Sequence, residues 1–258
     1  PFAGLKAGMV VDYCYETYRT SFLDLGHAWT YRFGNFYPQR EEILEIAVAD
    51  GVDHQLYLDE QPQEPERLER LRPVFDRPVG RVSAGNSAQV SDGAAWLLLA
   101  SEEALARHDL APLARLVDSQ WAALDPAQMG LGPVHAMAPL MRRQQLDAAD
   151  IDYWEINEAF AAQVLACLQA WEDPEFCREQ LGRERGFSPI DPERLNVDGG
   201  AVSIGHPVGA SGARIVLHLL QVLQREDARR GVASLCIGGG QGGAMMVERD
   251  RDTGAQDG

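Results

Sequence analysis

The segment GGAVSIGHPVGASGAR, residues 199–214, constrains this chain more than any other. Glycines at 199, 200, 205, 209 and 212 bracket His206 and Pro207. Such a run reads as a tight turn that other backbone can approach closely, because glycine adopts positive φ at no steric cost. From Ser211 the pattern changes. Apolar residues at Ile215, Leu219, Leu220 and Leu223 have the spacing of a helix, with Ser211 as its expected cap. An imidazole is thereby placed beside the positive end of a helix.

The rest of the chain reads as alternating strands and helices, which predicts an α/β fold. Residues 94–99 read as a buried strand or helix segment, and Ser101 as the cap of a helix over 102–108. Residues 113–121 alternate like a strand, 134–144 read as a helix, and 153–156 as a short strand. Phe160, Val164 and Leu168 have helical spacing within 158–171. Residues 172–195, with Pro174, Pro189 and Pro192, read as a polar surface excursion. Residues 232–237 and 244–247 are two strands joined by a glycine-rich turn, a candidate hairpin. Residues 1–80 show no regular pattern.

Two further segments bring chemistry to the same half of the chain. NEAFA at 157–161 supplies an amide, and CIGGGQGGAM at 236–245 supplies a thiol on an open turn. Amide, imidazole and thiol are the groups that acyl chemistry needs for proton transfer and oxyanion stabilisation. Taken alone, His206 is more often a capping or core histidine, Cys236 a small residue ending a core strand, and Asn157 a helix N-cap. The segments in combination favour the catalytic reading of all three.

In this order the segments resemble the thiolase family, acyl-CoA C-acyltransferases. LRPVFD at 71–76, SAGN at 83–86 running to SDGAA at 91–95, and MGLGP at 129–133 resemble further segments of that family. The resemblance holds in register from about residue 41 to 249. It implies a layered α/β fold of two similar βαβαβαββ halves. Residues 111–250 then form the C-terminal half, residues 1–110 the loop domain and the end of the N-terminal half, and 251–258 a tail.

The resemblance also assigns roles. His206 activates a nucleophilic thiol and later donates to the thioester oxygen. Cys236 moves the α-proton of acetyl-CoA, and the Gly238 N–H helps an oxyanion. Asn157 completes an oxyanion hole with His206 through a water; Glu158 supports that network. Phe160 and Met129 wall the acyl and pantetheine pocket, a core methionine being the plainer reading of Met129. Ser87 or Asn86 touches the pantetheine arm. Here the chain departs from its relatives, with Ala88 at a position that often carries Ser or Thr. A second departure is Gln63, where relatives often carry arginine near the CoA phosphates; Arg67, Arg70 or Arg72 is the expected substitute. The family's nucleophile lies in a C-x-S-G segment, which this sequence does not contain. Cys14, in Tyr13-Cys14-Tyr15, has neither the following glycine nor the helix start that would activate it. Together with Pro1 in first place, this reads as part of a longer enzyme.

Composition narrows the remaining classes. A net charge of −16 argues against nucleic-acid binding. No apolar run is long enough to span a membrane, and no signal peptide is evident, so a cytoplasmic protein is expected. Cys167 and Cys177 read as buried fillers or a surface thiol. The resemblance implies coenzyme A thioesters as substrates, no metal or redox cofactor, and a homo-oligomer, with a weak likeness to the subunits of fatty-acid oxidation complexes. The rival readings are a non-catalytic acyl-CoA- or lipid-binding module, a scaffold subunit, or a ketoacyl synthase-like enzyme. Cys236 in place of a second histidine speaks against the last. The thiolase reading requires His206, Cys236 and Asn157 to meet at one cavity that admits a thioester.

Overall fold

The computed structural model describes residues 11–13 and 71–249. Its centre is a four-stranded sheet in the order β3-β6-β5-β4, formed by β3 (Arg115–Ala123), β4 (Tyr153–Ile156), β5 (Arg230–Ile237) and β6 (Gln241–Glu248). β4 runs parallel to β5, whereas β6 is antiparallel to both β5 and β3. A parallel bridge between Trp154 and Leu195 extends the pairing beyond β4. The predicted hairpin is β5–β6, with Gly239 and Gly240 at φ +87° and +84° in its turn. A separate two-stranded pair joins β1 (Val11–Tyr13) to β2 (Trp96–Leu98).

Both faces of the sheet are covered, and the strand sequences show why. In β5 and β6, Val232, Ala244 and Met246 point to one face, and Ala233, Met245 and Val247 to the other. The first face packs on α2 (Gly132–Gln144), α3 (Ala161–Glu172) and α4 (Pro174–Leu181), through Val134, Met137, Leu140, Met141, Val164 and Trp171. The second face packs on α6 (Ser211–Arg225) through Ile215, Val216, Leu219 and Leu223. The remaining helices are α1 (Glu102–His108) and the one-turn α5 (Ala201–Ile204). Ser101 caps α1 as expected, its side chain accepting from the Ala104 N–H.

Several expectations need correction. Residues 172–195 are largely exposed, as a surface excursion would be, but they hold a helix and are anchored on the core. Asp173 caps α4, Pro174 opens it and Gly182 at φ +63° closes it, an arrangement that suits proline at a helix start and glycine after its end. Phe187 then stacks on Trp171 at 3.7 Å between ring centroids, and Cys177, Phe187 and Ile190 are buried. Residues 94–99 are not a buried element, for Trp96 and Leu98 are exposed and Leu97 alone turns toward α6. Val11–Tyr13 is a strand where irregular chain was expected. Helix α3 starts at Ala161 rather than at Glu158. Ser211 is the first helical residue of α6, and Ala210 occupies the cap position.

At the far end of the sheet one buried carboxylate ties three strand ends. Glu248 receives Arg115 at 2.7 Å and both Arg229 and Arg230 at 2.8 Å. Burial alone would push this carboxyl up, but the hydrogen bonds from Arg115 and Arg230 and the nearby positive charges hold it below its ordinary value of 4.5. The sign follows by linkage: stability from this cluster is complete above pH 4.5 and is lost as pH falls through the lower folded value. An acid titration of unfolding free energy should therefore show a falling limb that Glu248→Gln flattens. Leu219, fully buried on α6, should cost about 2–5 kcal/mol on truncation to alanine. Exposed Gln221 on the same helix should cost within about 0.5 kcal/mol in the same urea titration.

Candidate active site

The parallel pairing of β4 with β5 builds the floor of the site. Ile156 lies opposite Ser234, so Asn157 and Cys236 leave the same, carboxyl, ends of neighbouring strands. Open α/β sheets place ligands at that edge. The Asn157 N–H donates to the Ser234 carbonyl at 2.9 Å. Asn157 is not the cap of α3, because Phe160 holds that position. Its placement comes instead from Asn196, whose side-chain amide grips the preceding residue twice. Asn196 Oδ1 accepts from the Ile156 N–H and Nδ2 donates to the Ile156 carbonyl, both at 2.9 Å. Nδ2 of Asn196 also reaches Glu158 Oε1 at 2.9 Å, and Glu158 Oε2 accepts from the Val202 N–H in α5 at 3.1 Å. Glu158 thus links the Asn157 loop to the turn carrying His206, and is not a first-turn acid of α3.

That turn is shaped by contact with residues 83–93. Gly205 has φ +89°, and a Cβ there would lie 2.2 Å from Ser91 Oγ, so no other residue fits. The His206 N–H donates to the Gln89 carbonyl at 2.9 Å. The ring is then fixed by Ser211. Ser211 Oγ lies 3.0 Å from the Pro207 carbonyl oxygen and 2.7 Å from His206 Nδ1. A hydroxyl carries one hydrogen: if it goes to the Pro207 carbonyl, Ser211 accepts from a protonated Nδ1 and Nε2 is bare; if it goes to Nδ1, the ring proton is on Nε2. Nε2 faces Asn157 Nδ2 at 3.4 Å, a contact that suits the first arrangement. Burial, and then the Arg214 guanidinium, push this imidazole below its ordinary value of 6.5. At neutral pH the ring is uncharged, with Nε2 turned toward Asn157.

Cys236 is buried, and burial pushes its thiol up, so it is protonated at neutral pH. Beyond it Gly238 is exposed, and a Cβ there would meet nothing within 4 Å, which leaves the backbone open to approach. Met129 lies half-buried in the 3-10 turn Pro126–Leu131. The MGLGP segment packs directly on the hairpin, since a Cβ on Gly132 would lie 2.4 Å from the Gln241 carbonyl oxygen. Cys167, from α3, donates to the Gly130 carbonyl at 3.2 Å, and burial pushes its thiol up to about 12. It is a buried filler, as is Cys177.

Residues 83–88 dock on the NEAF loop. Ser87 bridges to Phe160 along the backbone, and the Ala88 N–H donates to the Ala159 carbonyl at 3.0 Å. Phe160 packs edge-on against Phe75 at 5.8 Å. The polar groups of Asn86 and Ser87 serve their own loop. Asn86 accepts from the Ser83 N–H at 2.8 Å and donates to the Arg81 carbonyl at 2.9 Å, while Ser87 Oγ donates to the Ser83 carbonyl at 2.7 Å. Arg72 is exposed, and no hydrogen bond or ion pair among the described residues ties it to this group. Cys14, Gln63, Arg67 and Arg70 lie outside the described residues.

A cavity of about 210 Å³ borders Asn157 and is lined also by Glu155, Gly200, Ile204, Arg214 and His218. It is smaller than the ~300 Å³ at which small-molecule pockets begin. Neither His206 nor Cys236 lines it, so this is not the shared cleft that was expected. Three buried side-chain atoms lack a hydrogen-bond partner among the described residues: Ser91 Oγ, Asn157 Oδ1 and Gln163 Oε1. Asn157 and Ser91 lie against His206 and Gly205, the turn already singled out. Sequence reading missed Asn196, Arg214 and the bonding of Ser211 to the ring. The visible signal was charge on an otherwise apolar helix, Arg214 and His218 one turn apart in α6.

With this geometry in place, comparison with known proteins is direct. The thiolase C-terminal domain model matches residues 110–249, and the thiolase N-terminal domain model matches residues 36–103. An acetyl-CoA acetyltransferase of Escherichia coli is 46% identical over 184 residues, 71% of this chain and 42% of that protein. A 3-ketoacyl-CoA thiolase of Enterobacter is 41% identical over 204 residues, 78% of this chain and 49% of that protein. The crystal structure of human mitochondrial 3-ketoacyl-CoA thiolase in complex with CoA superposes with a TM-score of 0.61 at 37% identity, over 74% of this chain and 44% of that one. The chain therefore spans about half the length of the relatives it matches. A family match over more than half its residues, carried by the segments that build the His206 turn and the Cys236 hairpin, places the chain in the thiolase family.

Proposed function

We propose that this chain supplies the imidazole, amide and second thiol of an acyl-CoA C-acyltransferase. The observation that carries the reading is the placement of His206, with Nδ1 at 2.7 Å from Ser211 and Nε2 at 3.4 Å from the Asn157 amide; in this reading Ser211 accepts from Nδ1 and Nε2 is bare. A nitrogen in that state can take the proton of a nucleophilic thiol. The resulting thiolate attacks the thioester carbonyl, and the oxyanion is met by the protonated Nε2 together with the Asn157 side. On collapse the leaving CoA thiolate recovers the proton. In condensation Cys236 then takes the α-proton of a second acetyl-CoA, whose carbanion attacks the acyl-enzyme carbonyl and releases the enzyme thiol, with the Gly238 N–H on the oxyanion. In thiolysis the group expelled in the first step is the acetyl-CoA carbanion in place of a CoA thiolate; Cys236 gives it its proton, and a free CoA thiol then takes the acyl group and releases the enzyme thiol. Burial keeps the Cys236 thiol protonated at rest, the state from which it donates in thiolysis.

Met129 and Phe160 are proposed to wall the acyl end. Ser87 and Asn86 are proposed to line the pantetheine arm mainly through backbone, their side chains being engaged locally. Exposed Arg72 remains available to the phosphates of CoA. Residues 111–250 are proposed as the C-terminal domain and 1–110 as loop domain and N-terminal remainder. A cytoplasmic homo-oligomer is the expected state on the strength of the resemblance. Among the described residues no helix is long and apolar enough to cross a membrane.

The rival, a non-catalytic acyl-CoA-binding module, gives no reason for an imidazole held by Ser211 against a buried amide. Thiolysis of acetoacetyl-CoA separates the two. The 258 residues alone should show no turnover, and the chain joined to an upstream segment bearing C-x-S-G should be active. In that active form His206→Ala and Cys236→Ala should each lower kcat by about 100-fold or more. Full activity in either variant would contradict the assignment; turnover by the 258 residues alone would overturn the reading of the chain as part of a longer enzyme.

A further inference from the structure

Helix α6 grips the His206 turn at two points, and the proposed mechanism uses only one. Ser211 holds the ring. One turn further along the helix, Arg214 NH1 donates to the carbonyl of Gly205 at 2.9 Å. Gly205 is the residue immediately before the histidine and the one whose backbone is held at φ +89°. Arg214 is half-buried and borders the cavity beside Asn157. Its side chain faces two carboxylates on the strand side, Glu155 and Glu158. Glu155 is itself engaged by His218 at 2.7 Å, and His218 by Asp198 at 2.8 Å. Glu158 is engaged by Asn196 and by the Val202 N–H. The 83–93 segment meets the turn with Gln89 and Ser91, both uncharged.

We propose that Arg214 is the positioning residue of this site: anchored on the Gly205 carbonyl, it sets the turn that aims His206 at Asn157 and keeps a positive charge behind the imidazole. The surrounding carboxylates fit this role. Glu155 and Glu158 are each held by other donors, which leaves the guanidinium close enough to be stabilised by them and free to bond the turn. A cation behind the ring disfavours the imidazolium and so favours the neutral imidazole. Burial is the larger downward push on His206 and the Arg214 cation the smaller one, which agrees with this geometry. The inference rests on the proposed function only in calling His206 the base; the electrostatic coupling is independent of turnover.

The test is an NMR titration of His206 in the 258-residue chain, its signal assigned by loss in His206→Gln. In the unmodified chain the His206 midpoint should lie below the ordinary histidine value of 6.5, and 1 M KCl should move it upward by screening Arg214. Arg214→Gln should raise the midpoint, and Arg214→Lys, which keeps the charge, should return it toward the unmodified value. An unfolding midpoint for each variant identifies any that fails to fold. A midpoint at or above 6.5 in the unmodified chain overturns the proposal without any variant. An unchanged midpoint in folded Arg214→Gln overturns it as well. These readouts need no turnover, so full activity of His206→Ala in the upstream-extended form would count against the proposed function and leave this result standing.

Discussion

The imidazole of His206 is held between two fixed partners, Ser211 Oγ at 2.7 Å from Nδ1 and Asn157 Nδ2 at 3.4 Å from Nε2. A hydroxyl group has one hydrogen, and the proposed chemistry depends on where Ser211 puts it: given to the Pro207 carbonyl at 3.0 Å, it makes Nδ1 the donor to Ser211 and leaves Nε2 bare. The Asn157 amide suits that arrangement, since its Nδ2 end can face a bare nitrogen. Its Oδ1 is left buried and without a partner among the described residues, a state that native proteins rarely keep without a use. Ser211 is fully buried, so no water competes for either bond.

The fold serves that contact by bringing four distant segments to one edge of the sheet. The β4–β5 register fixes Asn157 and Cys236 at neighbouring strand ends. Close backbone packing fixes the hairpin: a Cβ on Gly242 would lie 2.0 Å from the Gly132 carbonyl oxygen, so hairpin and MGLGP segment touch main chain to main chain. Helix α6 is held on the sheet by Leu219 and its neighbours, and through Ser211 and Arg214 it transmits that rigidity to the His206 turn. Packing on one helix thus positions a ring nitrogen at its start.

Much of this was legible in the sequence, and the exceptions share a cause. Motif segments carry their chemistry locally, so His206, Asn157 and Cys236 stood out by residue type and neighbours. The strands and α6 followed from periodicity. What sequence could not show was which of two local partners a side chain takes. Ser211 has the chemistry of a cap, but the helix begins one residue earlier than a cap would require, and the hydroxyl turns to the imidazole instead. Asn196 grips Ile156 across 40 residues, and His218 meets Glu155 across 63; neither separation leaves a pattern in the chain. Residues 172–195 misled for a different reason. Their prolines read as breakers, although Pro174 follows a capping aspartate and starts a helix.

The account stands on the protonation pattern of one ring, and imidazole ¹⁵N shifts read it directly. At neutral pH, His206 should show a protonated Nδ1 and a bare Nε2, and Ser211→Ala should abolish that preference. A protonated Nε2 with bare Nδ1 in the unmodified chain would contradict it, since the nitrogen turned toward Asn157 would then have no lone pair to offer.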